Sequence, residues 1–569
     1  MVWNSLVELL QQRAQATPEA LAYAFLSGKL DEKRCTYGEL HDRAMVVAER
    51  LRAVVREDDR VLVCHLPGLD YVIAFYGCLY AGAVAVPVYP PQYYGSFDRL
   101  SRIIEDARPR AALASTAILQ KLAAHLHATA RPRPFDWIAT EDLAGAAGSR
   151  SAPVRRRADS LALLQYTSGS TAEPKGVMLS QRNLLENLRA IQTNFRSHAG
   201  SVGCIWLPPY HDMGLIGGIL QPLFAGFPVY LMSPLAFALR PVRWLQAIAR
   251  FAATISGGPN FAFDLCVSRI KPAEMTDLDL SSWEVAFCGA EPIRAGTLDA
   301  FRAKFAPVGF RPHALHPCYG LAEASLMVTA SKHLAPLVTQ TLDAAALATN
   351  VARPAAGSQA RTLVGCGSAI EGADVRVVDP RTRAVCAERE IGEIWVAGPC
   401  VAQGYWGKRE ASEETFRARL ADGEGPYLRT GDLGYLDHGE LFVTGRLKDM
   451  IIVNGRNYYP EDIERRVSAS HPGLRTGGAV AFSIDRDDEE CLVIVQEVEA
   501  KLQDHETPRL LAQVTEAVLA CCETKPYEIV LVPKGRVART SSGKLQRQLM
   551  KRQYLAQNLE ALYRGRSTP

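Results

Sequence analysis

The chain has 569 residues, more than the roughly 250 to 300 residues over which a single hydrophobic core extends, so at least two domains are expected. With 48% hydrophobic and 22% charged residues, its composition is that of a globular enzyme and excludes a disordered or fibrous protein. The formal net charge of +3 provides no basic stripe for nucleic acid, which we exclude as a partner.

The cysteines and the N-terminus indicate where the protein is located. The 13 cysteines contain no CxxC pair, and only Cys521 and Cys522 are adjacent, which argues against a zinc site or a disulfide framework. We interpret them as thiols of a reducing compartment. Residues 1–20 predict an amphipathic helix that ends at Pro18, and not an export signal. The expected localisation is therefore cytoplasmic.

Two uncharged stretches, residues 71–89 and 217–239, approach the length of a membrane helix. In the first, Gly82 and the prolines near residue 90 predict a helix of about ten residues followed by a short strand. The second is broken by Pro222, Gly226, Pro228 and Pro234. Both are expected inside a globular α/β protein, and no membrane span is predicted.

Short apolar runs alternate with helical stretches over the first half of the chain. The runs are residues 60–66, 83–89, 204–210, 228–232 and 253–258. This order predicts an α/β fold with parallel-type sheets covered by helices. From about residue 361 to residue 445 the pattern changes to hairpins, which predict a β-rich subdomain. Residues 348–361 have the composition of a flexible loop.

A domain boundary is predicted between Arg446 and Asp449, where one hairpin is complete and a new strand begins. The chain is thus divided into a large N-terminal domain, residues 1–445, and a small α+β C-terminal domain, residues 446–569.

Residues 166–176, YTSGSTAEPKG, are suited to binding phosphate although they fail the Walker A pattern, because Gly169 is not followed by a GK[ST] sequence at the required spacing. The loop offers four hydroxyl groups, a glycine that permits close backbone approach, and the point charge of Lys175. The other phosphate-binding candidates are Thr167, Ser168, Gly169, Ser170 and Thr171. A polar linker is the alternative interpretation of so short a tract.

Glu323 and the segment after residue 288 are further candidates. Glu323 lies in the uncharged segment CYGLAEASL, where a carboxylate needs a cationic partner, and Mg²⁺ beside phosphates would serve. A glutamate at a helix N-terminus is the alternative. Gly289 and Ala290 follow an apolar strand, and their small size would let a flat ring lie against the backbone. A tight turn explains them equally well.

Three more polar positions have both a functional and a structural interpretation. Asp432 could accept both hydroxyls of a ribose, or it could form an Asx-turn. His211 lies among apolar residues, where a buried core histidine is the default. Lys544 lies in the Ser/Gly-rich turn TSSGKLQR, where a solvated lysine is the default. The apolar residues of GLIGGILQPLF suit an alkyl-chain pocket and an ordinary core equally.

Taken together and in this order, these segments resemble the adenylate-forming enzymes, which include acyl-CoA synthetases, luciferases and nonribosomal-peptide adenylation domains. The resemblance covers nearly the whole chain, and its most specific segments are YTSGSTAEPKG, YGLAE, TGD, GRLKDMIIVNGRNYYPEDIE and SSGK. It implies the fold predicted above and an AMP-forming ligase that uses ATP and Mg²⁺.

Within that superfamily the chain looks like a fatty acyl-AMP ligase, an enzyme that transfers a fatty acyl group to an acyl carrier protein of polyketide, peptide or lipid biosynthesis. This resemblance is carried by LPPYHDMGLIGGILQPLFAGFPVYLMSP, ISGGPNFAFDLC, GAEPIRAGTLDAFRAKFAPVGFRP and PCYGLAEASL. Ala172 replaces a glycine that is usual in CoA ligases, and Gln181 departs from the usual SHxNL pattern. Residues 331–361 match an insertion that is thought to limit movement of the C-terminal domain.

The resemblance also implies a role for each candidate residue. Thr167 to Lys175 would bind the β- and γ-phosphates of ATP, and Glu323 would hold Mg²⁺. Asp432 and Arg446 would bind the ribose. His211 would separate the acyl tunnel from the nucleotide, Lys448 would be the hinge of a mobile small domain, and Lys544 would be its catalytic lysine. The adenine slot would be formed by Gly289, Ala290, Glu291, Pro292 and Tyr319.

Two alternatives stay open at this point. A medium- or long-chain fatty acyl-CoA synthetase would differ only in its acceptor. A catalytically silent homologue that binds a carrier protein would have lost key residues, whereas Lys175, Glu323, Asp432, Arg446 and Lys544 are all present. The chain contains no LGGxS-type carrier motif, so the acceptor thiol is expected on CoA or another protein.

Overall fold

The computed structural model describes residues 3–28, 30–90, 97–128, 135–141, 152–166, 174–356, 360–453, 456–486, 489–499, 507–522, 525–540 and 543–566. In chain order the helices are α1 (Leu6–Ala16), α2 (Tyr37–Arg52), α3 (Leu69–Tyr80), α4 (Phe97–Ala107), α5 (Thr116–Ala128), α6 (Gln181–Phe195), α7 (Gln221–Ala225), α8 (Pro234–Leu239), α9 (Val242–Arg250), α10 (Asn260–Arg269), α11 (Ala295–Phe305), α12 (Ala344–Leu347), α13 (Arg409–Phe416), α14 (Pro460–Ala469), α15 (Thr507–Cys522) and α16 (Arg547–Leu555).

The strands, in the same order, are β1 (Leu21–Ser27), β2 (Asp31–Thr36), β3 (Arg60–Cys64), β4 (Val84–Pro87), β5 (Ala111–Ala114), β6 (Asp136–Ala139), β7 (Leu161–Tyr166), β8 (Gly176–Ser180), β9 (Gly203–Ile205), β10 (Val229–Met232), β11 (Ile255–Gly258), β12 (Val285–Cys288), β13 (Leu315–Gly320), β14 (Met327–Ala330), β15 (Thr339–Asp343), β16 (Ala360–Val364), β17 (Ser368–Ala369), β18 (Asp374–Val378), β19 (Gly392–Ala397), β20 (Leu428–Asp437), β21 (Glu440–Arg446), β22 (Ile451–Val453), β23 (Arg456–Tyr458), β24 (Leu474–Arg486), β25 (Glu489–Val498), β26 (Glu528–Pro533) and β27 (Tyr563–Arg566).

Two large sheets dominate the described part of the chain. One has six strands in the order β6-β5-β3-β4-β7-β8, and only its edge pair β7-β8 is antiparallel. The other has nine strands in the order β17-β14-β13-β12-β11-β9-β10-β1-β2, with parallel pairing from β1 to β13 through its centre. The connecting helices pack between and against these two sheets. The strands of both sheets are therefore continuously apolar in sequence.

The remaining sheets confirm the rest of the predicted fold class. Strands β18 to β21 form an antiparallel sheet, and β24 to β27 form a mixed sheet with hydrophobic clusters of its own. Strand β21 ends at Arg446, and a short 3₁₀ turn, Leu447–Asp449, precedes β22. We refer to residues before 446 as the large domain and to the rest as the small domain, following the predicted boundary.

The uncharged stretches fold as short elements. The first forms helix α3 and strand β4, with Gly82 in the left-handed region between them. The second forms a π-helix, Met213–Leu220, that continues into α7, β10 and α8. In the part of the chain that the structure describes, no helix is both long and apolar enough to cross a membrane.

The segment predicted as a loop, residues 348–361, is partly ordered into a hairpin. Residues 348–356 form no helix or strand, and residues 357–359 lie outside the described residues. Ala360 and Arg361 begin β16, which pairs with β15 along its whole length. This hairpin stands where the sequence predicts an insertion.

Candidate active site

A cavity of about 680 Å³ lies between the large and small domains. Residues that are far apart in sequence line it, and they include six of those singled out above: His211, Ala290, Tyr319, Glu323, Arg446 and Lys544. Pro174, which precedes Lys175, also lines the cavity. Thr167, Ser168, Gly169, Ser170 and Thr171 lie outside the described residues.

Asp432 is the centre of a group of polar contacts behind the part of the cavity wall that Tyr319 and Arg446 line. Strands β20 and β21 pair Asp432 with Arg446, whose Nε forms an ion pair with Asp432 Oδ1 at 3.0 Å. The hydroxyl of Tyr319, at the end of β13, donates to Asp432 Oδ2 at 2.8 Å. Asp432 raises the pKa of Arg446. The carboxylate is only 6% exposed, and each of its oxygens keeps acceptor capacity beyond these two bonds.

The segment Gly289 to Pro292 follows β12 beside this group. A Cβ on Gly289 would lie 2.7 Å from the carbonyl oxygen of Cys318, so only glycine fits there. Ala290 has φ +68°, a left-handed conformation that costs a non-glycine residue about 1 kcal/mol. Glu291 turns back toward helix α10 and accepts a hydrogen bond from the backbone N–H of Phe261 at 2.6 Å.

Glu323 lies in a 3₁₀ turn, Ala322–Ala324, opposite Lys175. Tyr405 connects the two residues, because its hydroxyl donates to Glu323 Oε1 at 2.9 Å and its ring centroid is 4.7 Å from Lys175 Nζ. Burial raises the pKa of Glu323, and burial together with Lys448 lowers the pKa of Lys175. A cation bound beside Glu323 would therefore stabilise its carboxylate, and an anion bound beside Lys175 would stabilise its ammonium group.

His211 lines the cavity next to Asp212 and Met213. Its Nδ1 is 2.5 Å from Asp212 Oδ1, and Asp212 also accepts from the backbone N–H of Met213, which begins the π-helix. Burial would raise the pKa of Asp212, but His211 holds it below its usual range. The apolar part of the cavity is lined by Ile191, Phe195, Met213, Gly217, Phe287, Leu326 and Met327.

Lys544 enters the cavity from the small domain. The turn that carries it is closed by its own bonds: Lys544 N–H donates to Thr540 Oγ1 at 3.0 Å, and Thr540 N–H donates to the Lys544 carbonyl at 2.7 Å. Burial and the cation of Arg446 lower the pKa of Lys544, whereas Asp212 and Glu291 raise it. Lys544 therefore faces carboxylates of the large domain although it belongs to the small one.

Lys448 lies in the 3₁₀ turn that joins the domains, and the sequence analysis missed the residues that hold it. Gln548, in α16, donates to the Lys448 carbonyl at 3.0 Å. Arg547 forms ion pairs with Asp449 at 3.2 Å and with Glu464 at 2.7 Å. Both residues follow Lys544 closely in sequence, so the turn that enters the cavity is directly attached to the connection between the domains.

The chain is similar to known proteins over nearly its whole length. A family model described as AMP-binding enzyme matches residues 10–406, and one described as Disco-interacting protein 2-like, AMP domain, matches residues 448–564. The medium-chain-fatty-acid–[acyl-carrier-protein] ligase JamA of Moorena producens is 41% identical over 98% of this chain and 96% of its own.

Two solved structures are similar over nearly the whole chain. A fatty acyl-adenylate ligase from L. pneumophila, in complex with acyl adenylate and pyrophosphate, is 38% identical, with a TM-score of 0.76 over 99% of this chain and 98% of its own. A structure from a study of fatty acyl-adenylate ligases from E. coli and L. pneumophila is 31% identical, with a TM-score of 0.89 and 98% of both chains covered. The chain belongs to the AMP-binding enzyme family, and within it to the fatty acyl-AMP ligases. The predictions of the family and of an AMP-forming ligase are therefore confirmed.

Proposed function

We propose that this enzyme activates a fatty acid with ATP, releasing pyrophosphate, and transfers the acyl group from the adenylate to the phosphopantetheine thiol of an acyl carrier protein. The observation that carries the proposal is the position of Lys544, which enters from the small domain a cavity lined both by polar residues such as Tyr319 and Arg446 and by apolar side chains. The name of the JamA relative supports a fatty acid as the substrate. The L. pneumophila complex, which contains acyl adenylate, supports that compound as the intermediate.

The polar wall is suited to the adenosine of ATP. Tyr319 and the backbone of Gly289, Ala290, Glu291 and Pro292 would enclose the adenine, since the missing Cβ of Gly289 leaves this backbone close to strand β13. Asp432, held by Arg446 and Tyr319, would accept the ribose hydroxyls. Lys175 and the hydroxyl-rich loop before it, Thr167 to Thr171, would bind the β- and γ-phosphates.

Glu323 fits the role of a magnesium ligand. Its carboxylate lines the cavity, and its raised pKa reflects a buried anion that a divalent cation would stabilise. Mg²⁺ bound there beside the phosphates would neutralise their charge during the reaction.

Adenylate formation brings two anions together. A carboxylate oxygen of the fatty acid bonds to the α-phosphorus while the bond to the bridging oxygen of pyrophosphate breaks, and no proton is transferred. Catalysis therefore depends on positioning and on cations at the developing charge. Lys544 would supply that charge at the α-phosphate, and Lys175 would supply it at the leaving group. His211, fixed by Asp212, would hold the boundary between the carboxylate and the alkyl chain.

The lowered pKa of Lys544 predicts an early alkaline limit for adenylate formation. Because the protonated ammonium is the active form and its pKa is lowered, the rate should fall as pH rises through a value below the usual lysine pKa of about 10.4. The measurement is the pH profile of single-turnover adenylate formation. The residual activity of Lys544→Ala should not show this fall in rate at alkaline pH. If the wild type and Lys544→Ala showed the same fall, the titrating group would be a residue other than Lys544.

The two half-reactions make opposite demands on the small domain. The acyl adenylate is destroyed by water, so the site must be closed while it forms. Rotation about Lys448 would then withdraw Lys544 and admit the thiol.

The hairpin β15-β16 would restrict this rotation. Arg361, near the end of the hairpin where the connecting segment joins β16, forms an ion pair with Asp462 of the small domain at 3.1 Å, and its guanidinium lies 4.5 Å from the ring centroid of Tyr459. Tyr459 packs into a hydrophobic cluster of the large domain with Leu342 and Phe442. This contact involves the stretch that resembles an insertion, and it would favour a carrier protein over free CoA by limiting how far the domains open.

Arg361→Ala is expected to relax acceptor selectivity. Losing an ion pair and a cation–π contact should weaken the closed placement by about 1 to 2 kcal/mol, so the ratio of acyl-CoA to acyl-carrier product should rise about 5- to 30-fold. The assay offers CoA and carrier together. Arg376→Ala is the matched control, because its pair with Asp374 is on the exposed surface of β18. An unchanged product ratio would contradict the assigned role of the hairpin.

The decisive test of the proposed function is a product analysis. Purified protein is incubated with ATP, Mg²⁺, fatty acids of increasing length and either CoA or holo-carrier protein, and the products are identified by mass spectrometry. We expect acyl adenylate in every productive mixture and a thioester mainly with the carrier. Acyl-CoA at a comparable rate would make the enzyme an acyl-CoA synthetase, and no adenylate with any acid would refute the proposal. We expect this reaction in the cytoplasm, where thiols such as Cys204 and Cys288 stay reduced.

A further inference from the structure

Phe261 forms the contact surface of the large domain on which the Lys544 turn rests. Gly543, next to Lys544, has φ +85°, and a Cβ built on it would lie 3.3 Å from Phe261 Cε1 and 3.5 Å from Cδ1. The ring therefore lies beside the backbone of the turn, at the position that a side chain on residue 543 would approach. Since the two residues belong to different domains, rotation about Lys448 must break this contact.

The turn transmits the position of Gly543 to its neighbour. Gly543 N–H donates to the Thr540 carbonyl at 2.9 Å, and the Gly543 carbonyl accepts from Arg539 Nη1 at 3.0 Å. Lys544 is bonded to Thr540 on both its backbone groups. Because Gly543 and Lys544 are both bonded to Thr540, they are expected to move together. The position at which Phe261 stops Gly543 therefore also sets how far Lys544 enters the cavity.

Phe261 is itself held in place. It is the second residue of α10, and its backbone N–H, which has no partner within the helix, donates to Glu291 Oε1 at 2.6 Å. Its half-buried ring makes an edge contact with Trp206 at 6.0 Å between centroids. Glu291 also lies in the electrostatic field of Lys544. The carboxylate of Glu291 therefore holds Phe261 in place and also attracts the Lys544 cation that Phe261 positions.

We propose that Phe261, held by Glu291, is a positioning residue for the first half-reaction: it stops the small domain where Lys544 reaches the reacting phosphate. The inference rests on the proposed function, because it concerns the step that Lys544 serves. Phe261 is not required once the small domain has rotated away, so the second half-reaction does not depend on it.

The test separates the two half-reactions. For Phe261→Ala we expect the rate constant of adenylate formation to fall about 10- to 100-fold, because a displacement of about 1 Å costs up to about 10²-fold. The KM for ATP should stay within a few-fold, and thioester formation from supplied acyl adenylate should be unchanged. Phe261→Leu, which keeps part of the contact, should recover part of the rate. Phe251→Ala is the control, since Phe251 is a half-buried aromatic residue of the same domain stacked on Tyr230 and outside the cavity.

A double-mutant cycle identifies the contact itself. Gly543→Ala alone should also slow adenylate formation, through its φ of +85° and the tight approach of its Cβ to the ring, which must shift by a few tenths of an ångström. In the Phe261→Ala background the ring is absent, so the second substitution should cost measurably less than it does in the wild type. Additive effects, or an equal loss in both half-reactions, would overturn the inference. A wild type that forms no adenylate with any fatty acid would instead refute the proposed function.

Discussion

Lys544→Ala is expected to lower the rate of adenylate formation by about 10²- to 10³-fold, the loss that follows removal of one charge-stabilising donor from an active site. The physical reason is its location: Lys544 is the cation that the small domain brings into the cavity, facing Asp212 and Glu291 across the space assigned to the α-phosphate. Because this charge matters most when the new bond forms, ATP binding should change by only a few-fold.

Pyrophosphate release and the dissociation constant for ATP are the two measurements required. Lys534→Ala is the matched control, since Lys534 is also a lysine of the small domain but pairs with Glu499 on the exposed surface. Thioester formation from supplied acyl adenylate should survive in Lys544→Ala. If that variant released pyrophosphate at a near-normal rate, Lys544 would not be the catalytic lysine.

Asp432→Ala is expected to weaken ATP binding by about 10²-fold, since each hydrogen bond to a charged group contributes about 1.5 to 3 kcal/mol and the ribose offers two hydroxyls. The substitution also leaves Arg446 and the Tyr319 hydroxyl without the carboxylate that they share. Some loss of stability is therefore expected together with the loss of affinity, and the two must be measured separately.

Asp437 provides the control for this experiment. It lies on the same strand, β20, is equally buried at 6% exposure, and is also bonded to an arginine, but its partner Arg389 does not line the cavity, whereas Arg446 and Tyr319 beside Asp432 do. Asp437→Ala should lower the melting temperature without changing ATP affinity. Calorimetric titration with ATP and thermal unfolding distinguish the outcomes. Equal ATP affinities for the two variants would remove Asp432 from the nucleotide site.

The arrangement of the site also explains how one enzyme carries out two incompatible steps. Water must be excluded while the adenylate forms, and a thiol must enter afterwards. The domain that supplies Lys544 is attached through Lys448, Gln548 and Arg547, so Lys544 and the connection between the domains belong to one structural unit. Movement of that unit would remove the catalytic charge and open the site in the same event.

Much of this description could be predicted from local sequence. The apolar runs that alternate with helices gave the α/β class, and the breaks at Gly82 and Pro222 separated short elements from a membrane span. The resemblance of six dispersed motifs identified the family and assigned a role to each site residue. Local patterns succeed here because strand burial and turn chemistry are determined by neighbouring residues.

Several features could not be predicted in this way. The π-helix places Met213 and Gly217 on the cavity while Leu215 and Ile216 enter the core, which neither of the two interpretations of that apolar run anticipated. Tyr405 bridges Glu323 and Lys175 from a position about 80 residues beyond Glu323, and no local signal marks it.

By itself the sequence determined the class of fold, the family and the chemistry of the individual groups, since these depend on residue type and short spacing. Only the tertiary structure decided which groups meet. Phe261 and Gly543 come into contact, and Lys544 faces Glu291, because two domains pack together at long sequence separation. Such contacts depend on the packing of whole elements, and no periodicity within a single segment encodes them.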